Sequence, residues 1–555
     1  MGASRSGRGD PVGGGSLNLP AARVVPNVPS FAVDNGFWYS IPDHLRSSLE
    51  TGSIVRVPLS GRRVRGWVME LSERPAGRLK DVSGISGAVP VFDSDLERSL
   101  SWAAQHYVAP VSVVLAKAAP PNLPGDPGQG PVDPIPNTRS EHPLTGVARS
   151  TAGGRRMPPL AMVGRWQGLE WLESLTPVLT RALSVVILAA TGAEVSAIGE
   201  RAKVIFGDRA IAVPPDDDAV VTRAWERARH PGVVVVGTPR VALWEIEALA
   251  LAVVLEEGRR AMKDRQTPTI HVRDMVRTRA RIESFNTVFL GPTPSVELMA
   301  AGAGTMAVGR RAWGLVEVVD RSGDRPGSGL LSESVIAALR AVAVDAGERA
   351  FLLTSHKMAP AVAEEVNARI GAGAAAPPTE AAFITVGTER DLAGLEPVSL
   401  AVATDVDFML SGQGYRGSEE ALRQLARLGN SLRPGRGRRM MVQTTEPHSD
   451  LIETLKRGDP IPYLERVLLQ RARHGMPPSK EMIAIEVRGE PPEGIEDRIA
   501  GLEPVETYGP MPIEDGRRWL IAGDLTRVRP ALRSLAMTWR EKGATVRIDA
   551  DPIDF

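Results

Sequence analysis

Short apolar runs that recur at regular intervals constrain the fold of this chain more than any other feature. Between residues 156 and 320, five such runs alternate with helical patterns: SVVILAA, KVIFG, GVVVVGT, LAVVLEE and NTVFLGPTP. A second set follows in residues 321–475: RAFLLTSH, AAFITVGT, SLAVATDVD and RMMVQTTEP. Strands that are apolar on both faces belong in a parallel sheet covered by helices on both sides. The sequence therefore predicts two tandem α/β lobes.

The rest of the chain predicts further units, because 555 residues are too many for one hydrophobic core. Alternating short strands near the N-terminus include the hairpin SIVRVPLSGRRVRGWVMEL, with SGRR at its tip, and the helix DSDLERSLSWAAQHYVA follows. The predicted fold class is thus α/β and multidomain, with a β-rich N-terminal domain, two parallel-sheet lobes and a small α+β C-terminal domain. The predicted boundaries are a disordered leader at 1–20, an N-terminal domain at 21–118, a Pro/Gly-rich linker at 119–155, lobe 1 at 156–320, lobe 2 at 321–475 and a C-terminal domain at 476–555.

Composition excludes several classes of function. The chain has no cysteine, which rules out disulfides, thiol nucleophiles and cysteine-ligated metals. Its eight histidines do not pair at metal-binding spacings, so no metal site is predicted. No apolar run is long enough to span a membrane, and a cytoplasmic location is expected. Because the net charge is zero, any contact with nucleic acid must come from a local basic patch.

A phosphate-binding loop is expected before the first helix of lobe 1, and its chemistry is incomplete. Such a loop needs glycines, then a Lys and a Ser or Thr for the phosphates and Mg²⁺. The segment MVGRWQGLEWLESL keeps Gly164 and Gly168 but has Leu169 and Glu170 where Lys and Thr are required. A glutamate beside a triphosphate repels it, so this loop is not expected to hold Mg-ATP.

Paired carboxylates end two of the predicted strands. Glu256 and Glu257 follow LAVVL, where an ATPase would place Mg²⁺-binding and water-activating groups. Without a phosphate loop, the favoured interpretation is a solvated strand end, where acidic residues are common. Asp405 and Asp407 in SLAVATDVD receive the same interpretation.

Arginines cluster around the N-terminal hairpin, at Arg56, Arg62, Arg63 and Arg65, and the aromatic residues Phe37, Trp38 and Tyr39 lie nearby in sequence. Arginine for phosphate and aromatic rings for base stacking are the usual equipment for contacts with single-stranded or end-recognising DNA. Solvated surface charge beside ordinary core aromatics is the alternative, and the pattern alone does not decide between them.

Several segments, taken in order, resemble the family of the primosomal replication-restart protein PriA (primosomal protein N′). The members of this family are DNA-fork helicases. The segments are RVVPNVPSFAVDNGFWYSIPDHL, the arginine hairpin, GTPRVALW, VLEEG, IHVRDMVRTRA, FLGPTPSVE, RARHGMPPS and the closing VRIDADPIDF. The resemblance implies a DNA-binding N-terminal domain and two helicase lobes.

Departures from the family pattern fall on the catalytic motifs. The Walker A loop lacks its Lys and Thr, Leu255 replaces the Mg²⁺-binding Asp, and the motif VI region ARLGNSLRPG keeps only Arg427 and Arg433, irregularly placed. The family's two-zinc cysteine insertion is absent, and its winged helix is reduced to the linker. Phe37-Trp38-Tyr39 stands where the family usually has Phe-Asp-Tyr for the 3′ end of a strand.

These residues predict a restart protein that binds branched or stalled-fork DNA and supports primosome assembly without helicase activity. Four arginines, at 56, 62, 63 and 65, are assigned to phosphate and Phe37, Trp38 and Tyr39 to stacking, and no cofactor is expected. The resemblance implies fork or single-stranded DNA, single-strand-binding protein and the replicative helicase or its loader as partners, near the nucleoid. The alternatives are an active ATP-dependent helicase with a divergent site and a protein–protein scaffold that does not bind DNA.

Overall fold

The computed structural model describes residues 18–75, 78–132, 134–135, 140–325, 327–344, 347–411, 414–489 and 491–554. The predicted disordered leader falls outside these residues up to position 17. Residues 18–20 belong instead to the first strand. In the described part of the chain, no helix combines the length and apolar character needed to span a membrane.

The N-terminal domain is a six-stranded sheet followed by two helices. Its strands are β1 Asn18–Pro26, β2 Phe37–Ser40, β3 Ile54–Leu59, β4 Arg62–Pro75, β5 Lys80–Asp81 and β6 Gly84–Ser86, in the spatial order β5-β2-β1-β4-β3-β6. The helices are α1 Ser94–His106 and α2 Val111–Ala118. Asp93 caps α1 by accepting hydrogen bonds from the backbone N–H groups of Asp95 and Leu96.

The predicted hairpin is β3 and β4, and its tip is shorter than expected. Ser60 and Gly61 both have positive φ, 46° and 79°, as a two-residue hairpin turn requires. Arg62 and Arg63 therefore lie in β4 rather than in the tip.

The predicted linker contains a helix, α3 Leu144–Ala152. Leu144, Val147 and Ala148 are spaced along one face of this helix and are buried in the core of lobe 1. The Pro/Gly-rich composition ends before this helix begins, so the predicted linker is wrong for residues 144–152.

Lobe 1 has a seven-stranded parallel sheet in the order β13-β7-β12-β11-β8-β10-β9. Its strands are β7 Leu160–Val163, β8 Ser184–Leu188, β9 Ala210–Ala212, β10 Val234–Gly237, β11 Leu249–Leu255, β12 Asn286–Gly291 and β13 Gly304–Ala307. Its helices are α4 Thr176–Leu179, α5 Gly192–Phe206, α6 Asp218–Arg227, α7 Val272–Arg279 and α8 Val296–Ala300. The predicted strand KVIFG is wrong, because Lys203–Phe206 complete α5, which begins at a capping box of Thr191 and Glu194.

Lobe 2 has a six-stranded parallel sheet in the order β14-β19-β18-β15-β17-β16. Its strands are β14 Val316–Asp320, β15 Ala350–Leu353, β16 Ala375–Ala376, β17 Ile384–Gly387, β18 Leu400–Ala403 and β19 Arg439–Thr444. Its helices are α9 Glu333–Val344, α10 Ala359–Ile370, α11 Val406–Leu410, α12 Gly417–Asn430, α13 Asp450–Arg457 and α14 Ile461–Arg473. Because β14 pairs with β19, lobe 2 begins before the predicted boundary at 320.

The C-terminal domain is a four-stranded antiparallel sheet with two helices. Its strands are β20 Glu481–Arg488, β21 Glu506–Ile513, β22 Gly516–Gly523 and β23 Thr545–Ala550, and its helices are α15 Ile495–Ala500 and α16 Val528–Glu541. Its core is continuous with α1, α2 and one face of the lobe 1 sheet. The predicted α/β multidomain fold is confirmed.

Candidate functional site

The carboxylates at the end of β11 are buried, not solvated as predicted. Glu256 and Glu257 are only 3% and 2% exposed. The strand is the fourth of seven in the lobe 1 sheet, and helix α12 of lobe 2 covers its carboxyl end. Removing a carboxylate from water is costly unless cations and hydrogen bonds compensate. The partners of these two groups therefore define the site.

Glu256 is held from both lobes. The indole Nε1–H of Trp166 donates to its Oε1 (2.8 Å). Its Oε2 lies 2.8 Å from Nε of Arg427 on α12, in an ion pair whose N–H does not point at the oxygen. Arg259 lies 3.7 Å away in lobe 1. Glu256 also adopts a positive φ of 46°, which is unfavourable for a residue with a side chain.

Arg427 joins three carboxylates at this point. Besides Glu256, it pairs with Glu389 of lobe 2 and lies 3.9 Å from Glu194 on α5. Glu194 in turn pairs with Arg259 at 2.6 Å. The second arginine of the predicted motif, Arg433, points elsewhere and lies near Glu348. One arginine of the expected two thus reaches the carboxylates of lobe 1.

Glu257 occupies a different environment. Its Oε1 accepts a hydrogen bond from the backbone N–H of Ser295 (2.7 Å), and Arg273 lies 3.9 Å from its other oxygen. Burial raises the pKa of Glu257, and these two partners only partly offset the rise.

A second layer of ion pairs continues across the same interface. Glu297 on α8 lies 2.7 Å from Arg416 and 3.1 Å from Arg471, both of lobe 2. Burial alone would raise the pKa of Glu297, but these guanidinium groups, together with one from lobe 1, lower it to about 2. We call the whole set the inter-lobe ion cluster; its members are Glu194, Glu256, Glu257, Arg259, Arg273 and Glu297 of lobe 1, and Glu389, Arg416, Glu419, Glu420, Arg423, Arg427 and Arg471 of lobe 2.

The loop after β7 has a carboxylate packed against one of its two glycines. A Cβ on Gly168 would lie 2.1 Å from Oε2 of Glu170, so the Glu170 carboxylate covers the glycine. Gly164 is required by packing, since a Cβ there would meet Val308 at 2.6 Å. A phosphate placed on this loop would face a carboxylate at contact distance.

Asp405 and Asp407 have structural roles at the end of β18. The Oδ1 of Asp405 caps α11 by accepting from the N–H of Phe408 (2.9 Å). Asp407 accepts from the backbone N–H of Thr445 (2.7 Å). Among the described residues, no group of three or more His, Asp or Glu side chains is arranged to hold a metal ion.

The hairpin arginines form an exposed basic surface. Arg56 lies directly opposite Arg65, and Arg63 lies opposite Pro58, so Arg56, Arg63 and Arg65 share one face of the hairpin. Arg62 projects from the other face. All four side chains are exposed, and within the described residues none forms an ion pair. Like charges directly opposite each other destabilise a sheet, and a bound anion would relieve that repulsion.

The three predicted stacking residues are in different environments. Phe37 is 41% exposed. Trp38 projects from the opposite face of β2, where the guanidinium of Arg74 lies 4.0 Å from its ring centroid. Tyr39 is buried in the core and donates its hydroxyl to the carbonyl of Pro58 (3.3 Å). The expectation that Tyr39 stacks on a base is therefore wrong, because its ring packs against the interior of the sheet.

The sequence did not predict most residues of the inter-lobe ion cluster. One pattern could have indicated them, because charged residues recur at helical spacing in α12, at Glu419, Glu420, Arg423 and Arg427. Such a pattern is typical of a solvated helix face, yet in this helix all four are buried.

Comparison with known families identifies the N-terminal domain. Residues 23–120 match the model of the PriA 3′ DNA-binding domain, described as 3'DNA-binding domain (3'BD). The N-terminal domain is thus similar to the DNA-binding domain of the PriA family. The match spans the last four residues of β1 and all of β2–β6, α1 and α2, including the whole arginine hairpin, and it confirms the resemblance inferred from the sequence for this domain.

Similarity to individual proteins is partial. The chain is 33% identical over 84 residues to the replication restart protein PriA of Bacillus subtilis (strain 168), a stretch that covers 15% of this chain and 10% of that protein. RecG bound to a three-way DNA junction is 14% identical, with a TM-score of 0.39, over 60% of this chain and 47% of that one. S. cerevisiae Dbp5 bound to RNA and ADP BeF3 is 12% identical, with a TM-score of 0.38, over 59% of this chain and 93% of that one. The similarity to the PriA family is carried by the N-terminal domain.

Proposed function

We propose that this PriA-family protein binds branched or single-stranded DNA through its N-terminal domain and acts in replication restart without helicase activity. The observation that carries the DNA-binding part is the exposed arginine surface of the hairpin, which lies inside the matched 3′ DNA-binding domain. Arginine contacts to phosphate are charge-assisted and release counterions, so this surface suits a nucleic-acid backbone.

Recognition of the end of a DNA strand would use the ring of Phe37, the most exposed of the three predicted stacking residues. Phe37 has the accessibility that base stacking needs, whereas Tyr39 supports the sheet from inside. Trp38 and Arg74 together offer a second flat surface on the other side of β2.

Salt-dependent binding to a forked oligonucleotide with a free 3′ end tests the DNA-binding proposal. Changing Arg62, Arg63 and Arg65 to Ala should weaken binding and reduce the log–log slope of affinity against salt by about 0.7–0.9 for each phosphate that the variant cannot neutralise. A matched control changes Arg325, Arg436 and Arg457, three exposed arginines of lobe 2, to Ala. Equal binding by the two triple variants, or no binding by the wild type, would favour the scaffold alternative.

The proposed lack of helicase activity is supported by the inter-lobe ion cluster. In a motor that runs on ATP, the two lobes close around a nucleotide and reopen after hydrolysis. Here Arg427 pairs with Glu256 directly, and Glu170 covers the glycine loop. These contacts support the proposal, because they place paired protein charges at the end of β11 and a carboxylate on the glycine loop.

An assay of ATP hydrolysis by the pure protein tests the proposed lack of helicase activity. We expect no DNA-stimulated hydrolysis above the background of a mock purification, and no unwinding of a fork. Steady hydrolysis that disappears in a Glu256→Ala, Glu257→Ala double variant would establish the active-helicase alternative instead.

The protein partners and the cellular location proposed for this protein rest only on the family resemblance. Single-strand-binding protein and the replicative helicase or its loader are the proposed protein partners, at forks in the nucleoid. Pull-down of each purified candidate, with and without fork DNA, tests this part separately from DNA binding.

A further inference from the structure

A segment at the end of β23 contacts three other units of the protein. It comprises the last two residues of β23 and the four that follow, 549–554, and we call it the strap. Nζ of Lys263 in lobe 1 donates to Oδ1 of Asp549 (2.6 Å) and to the next two backbone carbonyls (2.7 and 2.6 Å). Arg260, also of lobe 1, donates two hydrogen bonds to the carboxylate of Asp554 (2.6 and 2.9 Å). The strap is thus attached to lobe 1 near both of its ends.

Lobe 2 reaches the middle of the strap through one hydroxyl. Tyr415 donates its hydroxyl to the carbonyl of Pro552 (3.1 Å), and the same oxygen accepts from Nε of Arg416 (2.8 Å). Burial raises the pKa of Tyr415 to about 12, so the hydroxyl stays protonated and remains a donor at neutral pH. Three consecutive carbonyls of the strap therefore accept from side chains of the two lobes, and these side chains fix its path.

From Tyr415, polar contacts continue into the inter-lobe ion cluster. The guanidinium of Arg416 lies 2.7 Å from Oε1 of Glu297 on α8. Arg471 lies 3.1 Å from the same oxygen, and its guanidinium carbon is 4.8 Å from the centroid of the Tyr415 ring. Any rearrangement of the lobes that moves these two arginines relative to α8 must therefore disturb Tyr415 and its bond to the strap.

The strap reaches the N-terminal domain at the residue before its lobe 2 contact. Oδ2 of Asp551 lies 2.9 Å from Nε2 of His106 at the end of α1. The His106 ring stacks on Trp102, one turn earlier in the same helix, with 4.9 Å between ring centroids and 18° between planes. The contact thus acts on a ring that is fixed to α1. This helix shares its buried core with Ile54 and Trp67, which belong to the two strands of the arginine hairpin.

We propose that the strap couples the arrangement of the two lobes to the position of the N-terminal domain. Its contacts with lobe 2 and with α1 are made by adjacent residues, Pro552 and Asp551, and the peptide bond that joins them is planar and stiff. Separation of the lobes withdraws Tyr415 from the strap and loosens α1, whereas the closed arrangement holds both. The consequence for DNA binding rests on the proposed function of the hairpin, but the coupling itself does not.

Hydrogen exchange in the full chain, measured without DNA, tests the coupling. Tyr415→Phe keeps the ring that lies against Arg471 and removes only the hydroxyl. We expect exchange to accelerate in the strap and also in the last turn of α1, by about two- to tenfold, which is the effect of losing one hydrogen bond. Tyr463→Phe is the matched control, because its hydroxyl is hydrogen-bonded to Ser418 within lobe 2. This control should leave the strap and α1 as in the wild type.

The reverse direction is measured with His106→Gln, since coupling between two sites is reciprocal. Exchange should accelerate in residues 421–424, near the start of α12, while β18 stays unchanged. If His106→Gln does not fold, Asp551→Asn takes its place, because it removes the charge of the same contact and tolerates the positive φ (54°) of that position.

Two results would overturn the proposal: acceleration in Tyr415→Phe that stops at the strap and leaves α1 unchanged, or wild-type exchange in residues 421–424 of the reverse variant. Fork affinity of the same samples is measured separately. Because exchange is followed without DNA, failure of the coupling would leave fork binding intact, and failure of fork binding would leave the coupling intact.

Discussion

Glu245 illustrates how single buried carboxyls link the domains of this protein. It lies where α1 of the N-terminal domain meets lobe 1, and its Oε2 accepts a hydrogen bond from the backbone N–H of Asp93 (3.2 Å). Burial, and then the charge of Asp93, raise the pKa of Glu245 to about 7, although Arg229 and Arg279 act in the opposite direction. The folded protein therefore favours the protonated form of Glu245 more than the unfolded chain does.

This shift predicts a loss of stability as the pH rises. Because the folded pKa exceeds the ordinary value of 4.5, the stabilising contribution is full below about pH 4.5 and is lost as the pH approaches and passes 7. Glu245→Gln stays neutral and keeps an acceptor for Asp93. Its free energy of unfolding should therefore exceed that of the wild type at pH 8 by at most about 3 kcal/mol, and the two should match below about pH 4.5. Glu247→Gln, at an exposed neighbouring position, is the control, and identical pH profiles for wild type and Glu245→Gln would contradict the assignment.

At the scale of elements, α12 shows how a charged helix becomes an interface. Its acidic and basic side chains face lobe 1 and its own lobe rather than solvent, and they are satisfied by each other and by carboxylates across the cleft. A buried pair contributes little compared with apolar packing, but removing one partner leaves an unpaired buried charge. The interface is therefore sensitive to any single change in the cluster.

A double-mutant cycle on Glu256 and Arg427 tests this description. Arg427→Gln alone should destabilise the protein by up to about 3–5 kcal/mol, because Glu256 then remains buried with only the more distant Arg259 (3.7 Å) as a cation. The Glu256→Gln, Arg427→Gln double variant should lose less than the sum of the single changes. The exposed pair Arg517 and Glu496 provides the control, and breaking it should cost no more than about 1 kcal/mol. Additive losses at Glu256 and Arg427, measured by urea unfolding, would mean that the two charges do not interact.

The sequence predicted the sheets better than the site, for a physical reason. Strands such as β8 and β11 are apolar on both faces, and that property is local to a few residues. KVIFG was misassigned because an apolar run at the end of a helix has the same local composition as a strand. The burial of Glu256 depends on Arg427, which is distant in sequence, so no local pattern at the strand end could show it.

At the scale of the whole molecule, a buried lysine of lobe 1 forms hydrogen bonds with the C-terminal domain. Nζ of Lys263 donates to Oδ1 of Asp549 (2.6 Å) and to the carbonyls of Ala550 (2.7 Å) and Asp551 (2.6 Å). Asp551 also pairs with His106 at the end of α1 (2.9 Å). The end of β23 and the residue that follows it thus contact both lobe 1 and the N-terminal domain, and the continuous core beneath them includes all three units.

This arrangement predicts that the C-terminal domain is coupled to lobe 1 and to the N-terminal domain together rather than to each independently. Lys263→Met keeps most of the side-chain volume but leaves Asp549 and two carbonyls without their shared donor, which should cost about 3–5 kcal/mol at this interface. Hydrogen exchange in β23 and in the last turn of α1 should accelerate together, because Asp551 connects them, while exchange in the lobe 2 sheet stays unchanged. Lys542→Met, at an exposed position in the same domain, should leave all three regions as in the wild type. Faster exchange in β23 with α1 unaffected would show that the C-terminal segment does not couple the two domains.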